Sequence, residues 1–128
     1  MKKGKWYVLV SLVLIGLAVY LFLPGGPVRK YLVMNATKNY LADQGYKEKD
    51  FDVSAEYQFK RNSDDIRGTV AYVTFKDNKN IKYMYIQWRK NSKIQQHCSY
   101  FNKETKTEDW VNGGKLLHLE AACTERDG

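Results

Sequence analysis

The sequence predicts an α+β protein: an N-terminal transmembrane helix, then one helix packed on an antiparallel four-stranded meander with a C-terminal tail. Three observations predict it. Trp6 to Leu23 is an uncharged, almost wholly aliphatic run. Val28 to Gln44 carries apolar residues at helical spacing, with Val28, Leu32, Ala36 and Tyr40 on one stripe and Val33 and Leu41 widening it. From Phe51 onward the period drops to two, as in a strand with one wet face.

The apolar run comes first. Eighteen residues of helix rise roughly 27 Å, close to the hydrocarbon thickness of a bilayer. Trp6 and Tyr7 stand at one end and Tyr20 near the other, the placement of membrane-interface aromatics. A cleaved signal peptide needs a small-residue cleavage site, but Tyr20, Phe22 and Leu23 stand where it would fall. No cysteine follows to take a lipid. A chain of 128 residues has no core thick enough to surround such a helix, so lipid is its predicted surrounding. Residues 1–23 therefore read as a cytoplasmic stub and anchor, and 28–128 as an extracytoplasmic domain. Lys2, Lys3 and Lys5 precede the span and Arg29, Lys30 and Lys38 follow it, so the positive-inside bias is weak; the shortness of the N-terminal side is what reads the N-terminus as cytoplasmic.

That layout changes what the net charge of +7 means. Three of the 21 basic residues precede the span, leaving 18 basic against 14 acidic residues beyond it. The excess is mild, and no basic run is long enough to track a phosphate backbone, so nucleic acid is not an expected partner. The lipid bilayer is, with an anionic lipid surface, a wall polymer or another envelope protein as further partners.

Pro24-Gly25-Gly26-Pro27 is the linker, and Pro27 suits the first turn of a new helix. Gly45 is placed to end that helix in the left-handed conformation. Phe51, Val53, Ala55, Tyr57 and Phe59 then alternate with polar residues along the first strand. Arg61 to Asp65 turns, Ile66 to Phe75 is the second strand, Asp77 to Asn80 turns, Ile81 to Lys90 is the third, Asn91 to Lys93 turns, and Ile94 to Phe101 is the fourth. Setting Phe75 opposite Ile81 aligns Val70 with Ile86, Tyr72 with Met84 and Gly68 with Trp88. Setting Phe59 opposite Ile66 brings the apolar side of the first strand to that same face, which the helix should cover, with Gly68 leaving room for the Trp88 indole. The opposite face then shows Ala71, Val73, Phe75, Tyr83 and Tyr85. Trp110, Val111, Leu116, Leu117 and Leu119 of the tail are one cover for it. A partner is the other, with Tyr83, Tyr85 and Phe75 as its contact surface.

The chemistry-bearing inventory is thin. No nucleophile elbow, phosphate loop, dinucleotide fingerprint or His-Glu-x-x-His occurs. His97, Cys98, His118 and Cys123 lack metal-ligand spacing, and neighbours on a strand point to opposite faces. The paired carboxylates fall in turns or on the wet face, where general acid–base work has no desolvated pocket. No catalytic, cofactor or metal residue is expected. Cys98 and Cys123 are a candidate disulfide outside the cytosol, with two free thiols as the alternative.

Several segments carry a family likeness. The lysine-rich start, the single span, the helix ending Tyr40-Leu41-Ala42-Asp43-Gln44-Gly45-Tyr46, and Tyr72-Val73-Thr74-Phe75 followed by Tyr83-Met84-Tyr85 resemble the Domain of Unknown Function 3139 family. That resemblance implies a short, N-terminally anchored protein of bacilli and related Gram-positive bacteria, with no activity or catalytic residue to carry over. The expected function is a non-catalytic, membrane-tethered interaction module at the cell envelope. The alternatives are a small envelope enzyme or thiol/metal protein using His97 or Cys98, and an immunity or stress factor acting through its span.

Overall fold

A computed structural model describes residues 2–23, 25–110, 118 and 120. Helix α1 spans Lys2–Phe22 and helix α2 spans Pro27–Asp43. Five strands follow: β1 Phe51–Tyr57, β2 Thr69–Phe75, β3 Ile81–Gln87, β4 Ile94–Asn102 and β5 Thr107–Trp110. They form one antiparallel sheet in the order β1-β2-β3-β4-β5. The fold is thus α+β, with five strands instead of four. The fifth falls where the sequence reads as tail, because a tight turn at Asn102–Thr107, with Lys106 at φ 57°, returns the chain alongside β4.

The turn between the helices is set by glycine. Gly26 caps α2, and its N–H donates to the Leu23 carbonyl at 2.8 Å. A Cβ on Gly26 would lie 2.5 Å from the Tyr20 carbonyl oxygen, so only glycine lets α2 start this close to the end of α1. Pro27 occupies the first helical turn as expected. At the far end Gly45 adopts φ +100°, and the N–H groups of Gly45 and Tyr46 return to the carbonyls of Ala42 and Leu41, a Schellman stop.

The core lies between α2 and one sheet face. Val33, Thr37 and Leu41 are the buried residues of α2. They meet Phe51, Ala71, Val73, Phe75, Ile81, Tyr83, Tyr85 and Ile94, with Ala36, Tyr40, Tyr46, Val53 and Tyr100 around the edge. The buried stripe is therefore rotated from the one centred on Val28 and Leu32. Thr37 is tolerated there because its hydroxyl donates to the Val33 carbonyl at 2.8 Å.

The face assignment is a correction. The β2–β3 register is as expected, with Tyr72 opposite Met84. β1 pairs with β2 one residue away from the expected alignment, with Phe51 opposite Phe75, Val53 opposite Val73 and Ala55 opposite Ala71. One residue of slip moves every side chain of a strand to the other face. The apolar side of β1 therefore joins Ala71, Val73 and Phe75, and α2 covers that face. Phe75, Tyr83 and Tyr85 are each 1% exposed. They are core residues and cannot serve as an exposed contact surface. Gly68 likewise makes room for the Tyr57 ring and not for Trp88, since a Cβ there would stand 2.6 Å from Tyr57 Cε2.

Candidate functional site

The face away from α2 carries the polar chemistry. Its apolar centre is Ile66, Val70, Tyr72, Met84 and Ile86, flanked by Trp88 and Phe101. Among the described residues no α-helix covers it. The segment joining β1 to β2 folds back over it, beginning with a 3-10 turn at Phe59–Arg61. Gln58 Nε2 donates to the Tyr72 hydroxyl at 2.9 Å. Arg61 reaches across to β4 and β5, with Nη1 3.4 Å from His97 Nε2 and Nη2 donating to Glu108 Oε1 at 2.5 Å. The same carboxylate oxygen accepts from Ser99 Oγ at 2.8 Å, and Ser99 Oγ is 2.8 Å from His97 Nδ1. Arg61, His97, Ser99 and Glu108 thus close a ring of polar contacts over the sheet.

The wiring of that ring matters chemically. In nucleophilic catalysis a serine hydroxyl gives its proton to the imidazole, and a carboxylate orients the imidazole from behind. Here the Ser99 hydroxyl donates to the carboxylate, which is itself held by Arg61. His97 and Ser99 are both buried. The arrangement locks a loop to a sheet and presents no free nucleophile. Nothing but the alternation of His97 and Ser99 in β4 hints at it in the sequence, and Arg61 reads there as an ordinary turn residue.

Beside the ring is a cavity of about 270 Å³ lined by Glu56, Gln58, Tyr72, Lys82, Phe101 and Glu108. Lys82 lies over the Phe101 ring, 5.7 Å from its centroid. Burial, then the neighbouring Glu108 and Glu56, pushes the Tyr72 hydroxyl up to about 12. At neutral pH it is a fixed hydrogen-bond donor and acceptor, not a base. Phe59, 80% exposed, stands on the covering segment. An aromatic wall, a lysine, a phenol and two carboxylates make an amphipathic crevice.

The other sequence-singled residues are dispersed. His118 lies on the α2 face. Its ring stacks on Phe75 at 3.8 Å between centroids, its Nδ1 is 2.9 Å from the Tyr46 hydroxyl, and its Nε2 is 2.6 Å from Asp77 Oδ1. Glu120 on that face accepts from the Tyr40 hydroxyl. His97 and His118 thus occupy opposite faces, and among the described residues no His, Cys, Asp or Glu group is placed to hold a metal ion. Cys98 is buried and disulfide-bonded, so in this state it offers no thiolate. Cys123, Val111, Leu116, Leu117 and Leu119 lie outside the described residues, as does Pro24 of the linker. Trp6, Tyr7 and Tyr20 are exposed along α1.

The family described as "Protein of unknown function (DUF3139)" matches residues 3–85. The chain belongs to that family. The DUF3139 match takes in α1, α2, β1, β2 and β3 as far as Tyr85, that is, the apolar helix, the core helix and the strands beneath it. His97, Ser99, Cys98 and Glu108 lie beyond it. No curated protein and no solved structure matches the chain.

Proposed function

We propose that this DUF3139 protein is a single-pass membrane protein that displays a non-catalytic interaction domain on the extracytoplasmic side. Its contact surface is the sheet face away from α2, around the Tyr72 cavity, and its partner is another envelope component. The observation that carries the reading is the state of α1. It is the one helix among the described residues long and apolar enough to cross a membrane, and no part of its apolar stretch is buried against the rest of the chain. Apolar surface of that extent is stable only when something other than water surrounds it, and a bilayer matches its length.

Two further observations support the placement and the surface. A disulfide-bonded Cys98 suits an oxidising compartment, which for an N-terminally anchored chain is the far side of the membrane. The Tyr72 crevice and the exposed Phe59 supply an aromatic anchor with a mixed-charge rim, the composition of a partner-binding patch. Tethering confines the domain to the membrane plane, so modest affinity is enough.

Photocrosslinking in native membranes tests this. A crosslinker at Phe59 or Glu56 should give discrete adducts, and one at Tyr31, on the outer side of α2, should give none. Equal adduct patterns from both positions would move the contact surface off that face.

A further inference from the structure

Where α1 meets the domain, Phe22, Arg29, Arg67, Gly68, Thr69 and Arg89 line a cavity of about 160 Å³. Three arginines converge there from three elements: the first turn of α2, the approach to β2 and the end of β3. Among the described residues no carboxylate lines the cavity. Among the described residues the Arg89 guanidinium is held by neutral groups, with Nε donating to the Ser63 carbonyl at 2.9 Å and Nη2 to Asn62 Oδ1. Arg67 Nε is buried and has no hydrogen-bond partner. Burial, then the adjacent Arg29 and Arg89, lowers the pKa of Arg67. Gathering guanidinium groups without an acid is unfavourable, and an anion at their centre relieves it.

The position of the cavity says which anion. Phe22 is the last residue of α1. A lipid-spanning α1 sets its final turn at the headgroup level, so the cavity opens at the depth of the lipid phosphates. We infer that Arg29, Arg67 and Arg89 form a binding site for the phosphodiester of an anionic lipid headgroup in the leaflet next to the domain. Guanidinium matches phosphate geometry in paired hydrogen bonds, and Arg67, whose Nε has no partner, is one of the residues that line the cavity. Phe22 would pack on the upper acyl chain. The site rests on the membrane-anchored reading for its depth, and it would hold the domain at a set angle to the bilayer.

The full chain, reconstituted in vesicles of phosphatidylcholine alone or doped with phosphatidylglycerol, tests both. Flotation reads the anchor, and the thermal midpoint of the domain reads the site. The expected result is flotation with both vesicles and a higher midpoint with phosphatidylglycerol. Arg67→Gln should abolish most of that rise. Arg29→Gln, on a half-exposed helix position that does not risk folding, should weaken lipid binding about fivefold. Lys30→Gln, which removes a charge at the same depth but outside the cavity, should leave the rise intact. A chain that floats but has the same midpoint in both vesicles, or a rise that both arginine variants keep, overturns the site alone. An equal rise with inorganic phosphate in pure phosphatidylcholine overturns the lipid as occupant. A chain that floats with neither vesicle overturns the anchor and the site with it.

Discussion

The packing of α2 on the Tyr83/Tyr85 face makes a sharp mutational contrast. Leu41 is 0% exposed and Leu32 is 44% exposed, although both sit on the apolar side of the helix by sequence pattern. Leu41→Ala removes three carbon groups from a site closed to water, about 2.4 kcal/mol of transfer free energy at roughly 0.8 per methylene. The residual cavity adds to that, because the aromatic side chains of the cluster are held by ring contacts, Phe51 and Tyr83 on Phe75 and Tyr85 on Tyr40, and can collapse only in part. The sum is about 3–4 kcal/mol, inside the range for buried leucines. For a domain of this size that corresponds to roughly 12–32 °C of thermal midpoint. Leu32→Ala should cost about 0.5 kcal/mol, or a few degrees. Thermal unfolding of the full chain in mild detergent, followed by near-ultraviolet circular dichroism of the buried tyrosines, reads both. Comparable losses from the two variants would refute the rotation of α2 described above.

Further outcomes follow from the same structure. Intact mass of the non-reduced protein should fall one pair of hydrogens below the reduced chain, and Cys98→Ser should lower stability by about 2–5 kcal/mol in chemical denaturation. A double-mutant cycle on Arg61→Met and Glu108→Gln should give a coupling of about 1 kcal/mol, discounted for the exposed carboxylate, and no coupling would remove Arg61 as the strap across the sheet. Tyr72, ordinarily near 10, is pushed up to about 12 in the folded chain. The unfolded chain therefore loses that proton first as pH rises. The stability Tyr72 contributes is complete below pH about 10 and drains away between about 10 and 12, and Tyr72→Phe should flatten the fall in that window of a pH-stability titration.

The elements were legible because their causes are local. Lipid-length apolarity marks α1, Pro27 and Gly45 bracket α2, and alternating residues mark β1 to β4. The β2–β3 register was also readable, since the short turn at Asp77 to Asn80 leaves few alignments for Phe75 and Ile81. The face covered by α2 was not readable. It depends on whether Phe59 continues β1, and Phe59 instead turns out of the sheet into a 3-10 turn, shifting β1 by one residue and carrying its apolar side to the other face. The tyrosines looked like an exposed patch because tyrosine is at home at interfaces. They are buried because each hydroxyl finds a partner: Asn78 Nδ2 donates to Tyr83 and Gln96 Nε2 donates to Tyr85. The candidate sites were the least legible part. Arg61, Ser99 and Glu108, and likewise Arg29, Arg67 and Arg89, are far apart in the chain and meet only through the sheet order.

Whether α1 holds the domain outside the cytoplasm is read by protease treatment of right-side-out membrane vesicles that carry the full chain. The domain should be degraded while a fragment containing α1 stays in the membrane pellet after alkaline carbonate washing. Recovery of the intact chain in the wash, or a C-terminal domain protected until the vesicles are opened, would contradict it.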